Sequence, residues 1–221
     1  MLKLYFLCEK RCNMDIMKHS ITRLSGYRDV LLRFKSYKVN WIYSEQIASA
    51  TGTTAAQVRK DFSLFKVPGK RKSGYEISSL IEAINRITGK NKKNSAVLVF
   101  ENESLGKALY EDYFLQDPDI HIDALFSTAS PYRIQHEPIS SIPVFQATSL
   151  VEYISAHAVT CGIIAVPNAS AQKVMDIMII AGIHCFLCLT TIELKCPKDC
   201  TVKIINPIRE LESLTYFASR H

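Results

Sequence analysis

The feature that most constrains this chain is residues 53–75. Residues 53–65 read as a helix opened by a threonine cap, with Gln57 three residues after Thr54 completing a capping box. Ala55, Val58, Phe62 and Phe65 fall on one face and require a core to cover them, while Gln57, Arg59, Lys60 and Ser63 lie around the other side. A glycine-punctuated basic tip, Gly69-Lys70-Arg71-Lys72-Ser73-Gly74, follows at once and predicts a short hairpin. A polar, cationic helix with a cationic hairpin behind it is how a winged helix-turn-helix meets a DNA duplex. The expected contacts are Gln57, Arg59, Lys60, Ser63, Lys70, Arg71 and Lys72. Gln57 has two possible employments, as the capping-box partner or as a reader of an adenine edge.

The flanking pattern agrees. Residues 26–38 place Val30, Leu31, Phe34 and Tyr37 at helical spacing, and residues 44–52 predict a short helix stopped by Gly52. The tight Gly52-Thr53 connection lets two helices cross steeply, as a helix-turn-helix requires. After the basic tip, Ser78 or Ser79 is the expected cap of a helix carrying Leu80, Ile81, Ile84 and Ile87, ended by Gly89.

Charge divides the chain at the same place. Residues 1–95 hold 19 Lys and Arg against 7 Asp and Glu, net +12, and residues 96–221 hold 8 against 14, net −6. The first half therefore suits a polyanion and the second half does something else. Domains are expected at 1–20 (a loosely attached arm), 21–89 (winged helix-turn-helix), 90–94 (linker), 95–205 (an α/β unit) and 206–221 (a C-terminal helix). Seven cysteines, an odd number with no secretory signal before them, fit a reducing compartment, which predicts a cytoplasmic protein. No apolar run reaches the ~18 residues of a membrane span.

From Ser95 onward short apolar strands alternate with helices, the pattern of a parallel sheet. Strands are expected at 96–100, 121–126, 161–166, 183–189 and 201–205, and helices at 104–115, 149–157, 170–181 and 207–219. The last is opened by Asn206 with Pro207 at its first position, and carries Ile208, Leu211, Leu214 and Phe217, a stripe suited to its own sheet or to a dimer. In a Rossmann unit a glycine-rich turn after the first strand holds a pyrophosphate. Here that turn reads Glu101-Asn102-Glu103-Ser104-Leu105-Gly106, with only the third glycine position filled, and the second strand ends at Phe126-Ser127.

These residues together resemble the Rex family of redox-sensing transcriptional repressors over roughly residues 21–221. The resemblance rests on residues 54–61 with Gly69-Lys70-Arg71 and Gly74-Tyr75, on Ala165-Val166-Pro167, Ala171-Gln172 and Ala181-Gly182-Ile183, and on Glu210-Leu211, Leu214 and Tyr216-Phe217. It implies an N-terminal winged helix-turn-helix domain, a Rossmann-like domain that senses the NADH/NAD ratio, and a homodimer on an inverted-repeat operator. The C-terminal helix would be exchanged between subunits. Two family glycines fall on Glu101 and Glu103, the ribose carboxylate falls on Ser127, and the loop beside the nicotinamide reads Cys188-Leu189-Thr190-Thr191. The expectation is a sequence-specific repressor with a degenerate NAD(H) site and no cofactor. The alternative is a true NADH sensor with an altered loop.

Cys185, Cys188, Cys196 and Cys200 raise a metal or thiol-sensing alternative. If the first two share a strand, the two-residue period sends them to opposite faces, which favours cysteines as small buried hydrophobes and no metal. His121 and His184 lack ligand spacing. A dinucleotide-dependent enzyme would need a nucleophile elbow, phosphate loop or acid-base constellation, and the chain shows none, so the protein is expected not to be an enzyme.

Overall fold

The computed structural model describes residues 2–67, 74–90, 94–116, 120–129 and 138–218. The chain divides into two compact units, Met1–Lys92 and Lys93–His221.

In the first unit, α1 (Leu2–Ser36) is one continuous helix. The boundary expected at residue 20 falls inside it, and so does the helix start expected at Gly26. Its buried stripe is Ser20, Leu24, Tyr27 and Leu31, at alternating four- and three-residue spacing. Gly26 sits on the same helix with open space around it. The glycine suggested a terminus, but tertiary packing carries the helix through it. Tyr37 lies beyond the helix and is exposed, contrary to the expected stripe.

The stripe packs against α4 (Ile77–Thr88) through Leu80, Ile81 and Ile84, with Ile47 of α2 (Ser44–Thr51) and Val58 and Phe62 of α3 (Ala55–Leu64) closing the core. Gly52 ends α2 in the left-handed region at φ 66°. The cap of α4 is Glu76, whose carboxylate accepts from Ser79 N at 3.1 Å, in place of the expected Ser78 or Ser79. Two short strands, β1 (Trp41–Ile42) and β2 (Tyr75–Glu76), pair antiparallel. A Cβ on Gly74 would lie 2.6 Å from Ile42 O, and its φ of 75° is left-handed, so the residue that opens β2 has to be glycine. The basic tip, with Lys70, Arg71 and Lys72, lies outside the described residues.

The second unit is a six-stranded sheet of order β5-β4-β3-β6-β7-β8, parallel at every pairing. Its strands are β3 (Asn94–Phe100), β4 (Ile120–Ser127), β5 (Val144–Gln146), β6 (Cys161–Ala165), β7 (Cys185–Cys188) and β8 (Thr201–Ile204). Alternate residues of β3 serve different faces: Val97 and Val99 meet α6 (Leu150–Ala156) and α7 (Asn168–Ile180), while Ala96, Leu98 and Phe100 meet Tyr110. Both faces are covered, as a parallel sheet requires. The edge strand β5 was not foreseen, being three residues after a proline with no periodicity of its own. The helix expected at 104–115 begins as α5 (Glu103–Ala108) and widens into a π-helical turn over Leu109–Phe114, where Leu115 N bonds to Tyr110 O at 2.8 Å. Then α8 (Pro207–Ala218) starts on Asn206, whose Oδ1 accepts from Ile208 N and Arg209 N, as expected.

One polar residue holds the first core together. Asp61 is 1% exposed, and its carboxylate accepts a bidentate pair from Arg23 at 2.7 and 2.6 Å, Ser20 Oγ at 3.0 Å, Tyr27 Oη at 2.9 Å and Gln57 Nε2 at 3.0 Å. Burial alone would raise its pKa, but the bonds from Arg23, Tyr27, Ser20 and Gln57 outweigh burial and hold it below the ordinary value. Tyr27 is pushed up to about 12, by burial first and then by its bond to Asp61.

Asp61→Asn should lower the stability of this unit by about 2–3 kcal/mol, allowing for the partial exposure of Arg23. Denaturation followed by the fluorescence of Trp41, the single tryptophan, reads this directly. Because the folded carboxyl pKa is depressed, its contribution is full above the unfolded value of about 4 and is lost as pH falls through the folded one. The gap between variant and wild type should therefore close in acid.

Candidate nucleic-acid helix and nucleotide cleft

Thr54 caps α3 by accepting from Gln57 N at 3.1 Å, so half of the expected capping box forms. The Gln57 side chain turns the other way, to Asp61, and is neither a capping partner nor a free amide. Arg59 is spent in part within the unit: its Nη1 bonds Ser44 Oγ at 2.9 Å and pairs with Glu45 at 3.0 Å, tying α3 to the first turn of α2. Lys60 and Ser63 are exposed. With Ala56, also exposed, they form an outward stripe at i, i+4 and i+7. Ala56 was missed because alanine carries no chemical signal in a sequence.

In the second unit the chain runs outward from β3 to β5, then returns beside β3 with β6 and continues the other way. A crevice opens at such a reversal, beyond the carboxyl ends of the strands. It is a cleft of about 1310 Å³ lined by Glu101, Asn102, Glu103, Ser104 and Leu105 after β3, Thr128 and Ala129 after β4, and the segments after β6 and β7. The starts of α5, α7 and α8 all reach it, through Glu103, Asn168 and Pro207. Asn102 caps α5 by accepting from Leu105 N at 3.0 Å.

Gly106 lies beneath this turn. A Cβ there would sit 2.5 Å from the Phe100 ring, so glycine is required for the helix to lie close on the strand. Ser127, expected at the ribose position, is fully buried and accepts from Ala129 N at 3.2 Å, and the cleft is lined by Thr128 and Ala129 instead. β4 runs one residue further than the expected strand, so Ser127 is part of the sheet and pairs with Phe100.

The loop after β7 is held by two amides of α7. Asn168 accepts from Thr190 Oγ1 at 2.6 Å and donates to Thr191 Oγ1 at 2.6 Å, and Gln172 both accepts from Lys195 N at 2.8 Å and donates to Lys195 O at 2.9 Å. An amide beginning a helix just after Pro167 was the available signal for Asn168. Cys185 is exposed and Cys188 is buried, on opposite faces of β7. Cys188 is a core residue, and burial first, and then the charge of Cys196, push its thiol up to about 11, so it is a poor thiolate.

A helix-turn-helix unit followed by a doubly wound parallel sheet with a crevice at its reversal is the architecture of a two-unit DNA-binding regulator with a Rossmann-like second half. Residues 15–63 match the family described as "Putative DNA-binding protein N-terminus", and residues 63–192 match the CoA binding domain family. The chain is 31% identical over 205 residues to the redox-sensing transcriptional repressor Rex of Streptococcus mutans, covering 93% of this chain and 96% of that one. It is 31% identical over 209 residues to Rex of Limosilactobacillus reuteri, covering 95% and 96%. Among solved structures it is similar to RSP, a Rex-family repressor, in complex with β-NAD+ and operator DNA, with TM-score 0.82 and 22% identity over 92% of each chain. RSP in complex with β-NADH gives TM-score 0.79 at 23% identity, over 91% of this chain and 93% of that one. The chain belongs to the Rex family of redox-sensing transcriptional repressors.

Gly106→Ala should destabilise the sheet unit by about 1–3 kcal/mol through overpacking on Phe100, whereas Glu101→Gly, on the exposed part of the same turn, should leave the melting midpoint nearly unchanged. Calorimetric melting of the two variants tests this. Equal midpoints would show that the turn is not held by that contact.

Proposed function

We propose that this chain is a dimeric, cytoplasmic DNA-binding repressor that has lost tight binding of NAD(H). Relatives named as transcriptional repressors along nearly the whole chain support the first part. Ala56, Lys60 and Ser63 enter the major groove, the small Ala56 allowing close approach and Lys60 meeting a phosphate. Arg59 positions α3 while its half-exposed guanidinium adds positive charge. Lys70, Arg71 and Lys72 would reach the neighbouring backbone. The exposed side chains Ile208, Leu211, Leu214 and Tyr216 make α8 the surface that joins two subunits, and a two-fold dimer calls for an inverted-repeat operator.

The second part rests on one observation. Among the described residues, the cleft lining includes two carboxylates, Glu101 and Glu103, and no lysine, arginine or histidine. A carboxylate about 5 Å from a phosphate costs from ~1 kcal/mol in a water-like setting to ~3 kcal/mol at an effective dielectric of 20. The competing reading, an NADH sensor with an altered loop, draws support from the three helix starts at the cleft, whose partial positive charge favours an anion. Both glutamates are also exposed, so both can turn to solvent.

Lys60→Ala should weaken operator binding and reduce the slope of log affinity against log salt by about one. Unchanged affinity in a variant with alanine at Arg59, Lys60, Lys70 and Arg71 would refute the DNA surface. Calorimetric titration with NADH and NAD decides the cleft. The double variant Glu101→Gly, Glu103→Gly should bind NADH at least about thirtyfold more tightly than wild type. Micromolar binding by wild type with no gain in the variant would establish the NADH-sensing reading.

A further inference from the structure

At the edge of the sheet away from the cleft, β7 and β8 begin side by side. Their register pairs Cys185 with Thr201, and Thr201 N donates to His184 O at 2.7 Å. His184 and Cys200, the residues just before each strand, therefore stand next to each other. A turn closed by Cys200 N on Pro197 O, at 3.1 Å, carries Asp199 to the same place. His184 Nδ1 lies 3.6 Å from Cys200 Sγ and 3.2 Å from Asp199 Oδ2. The three atoms are all within 4.8 Å of one another.

A single imidazole nitrogen facing a carboxylate and a sulfur can satisfy one of them with its one proton, but all three atoms are electron-pair donors to a cation placed among them. Metal distances of about 2.0 Å to nitrogen or oxygen and about 2.3 Å to sulfur place tetrahedral ligands about 3.3 Å apart for a nitrogen–oxygen pair and about 3.5 Å apart for a nitrogen–sulfur pair. The two separations observed here match both edges. We infer that His184, Asp199 and Cys200 are three corners of a tetrahedral site for a zinc-class divalent cation.

The mixed nitrogen, oxygen and sulfur donors suit zinc or cobalt, whereas magnesium and calcium take oxygen ligands. The side chains of His184 and Asp199 are 49% and 67% exposed, which leaves the fourth corner to water. The site differs from a four-cysteine centre, since Cys188 is in the core. A cation there clips the edge strand β8 to β7 at their base, while Leu189 and Ile205, just beyond the tops of these strands, line the cleft.

Cobalt(II) titration of the metal-stripped full chain tests the site, followed by the thiolate-to-cobalt charge-transfer absorption and the tetrahedral d–d bands. Wild type should take up a single cobalt per chain, releasable by zinc, and its melting midpoint should rise with metal. Cys200→Ser should lose the charge-transfer band and the metal-dependent rise in melting. His184→Ala and Asp199→Asn should bind at least about tenfold more weakly, and Cys185→Ser and Cys196→Ser should titrate like wild type. Circular dichroism of the metal-free variants establishes that each is folded; should Cys200→Ser fail to fold, the His184→Ala titration decides. No thiolate band in wild type, a band that persists in Cys200→Ser, or one that depends on Cys185 or Cys196 would overturn the site.

Discussion

The buried carboxylate of Asp61 is the constraint on which the N-terminal unit depends. It stands on the inner side of α3, the helix proposed to meet DNA, and its donors come from α1 and from α3 itself. A buried charge without partners is strongly destabilising, so the position of α3 against α1 is set by where Arg23, Ser20 and Tyr27 can all reach one side chain. Directional bonds specify this angle better than apolar contact alone, because Val58 and Phe62 would tolerate small rotations that the bidentate Arg23 pair would not. On the outer side, Arg59 repeats the logic more weakly, fixing α3 to α2 through Glu45 and Ser44.

In the second unit, packing and ligand binding draw on different residues of one short turn. Gly106 faces the core, where any side chain would strike Phe100, so the fold itself demands it. Glu101 and Glu103 face the cleft and touch no core, so the fold is indifferent to them. A Rossmann-like sheet can thus be kept intact whatever side chains stand at positions 101 and 103 of its crevice. The loop after β7 is a further case: Asn168 and Gln172 hold its backbone with side-chain amides, which preserves the cleft wall whatever the loop residues Leu189, Thr190 and Thr191 offer a ligand.

Legibility in the sequence followed the range of the forces involved. The helix-turn-helix was readable because its signals are local: a threonine cap, a glycine in the left-handed region and an apolar face of period 3.6. The parallel sheet was readable because strands covered on both faces are continuous apolar runs. Gly26 misled in the opposite direction, since a glycine read as the start of a helix lies inside one whose flanks are packed on α4. Asp61 went unrecognised although it lies between Val58 and Phe65 on the apolar face, a position where an acid must be paired, because its partners on α1 are 34 to 41 residues away.

The sequence by itself therefore determined the type and order of most elements, the change from a helical to an α/β pattern, the basic character of the first half and the two glutamates in the turn after β3, because each is a property of near neighbours along the chain. Only the tertiary structure decided which polar side chains are free. It placed Gln57 and part of Arg59 in internal bonds, buried Ser127, and gathered His184, Asp199 and Cys200 at one strand edge. Hydrogen bonds and ligand geometry act over about 3 Å between atoms that strand register and helix packing bring together, and nothing in the spacing of residues along the chain records that distance.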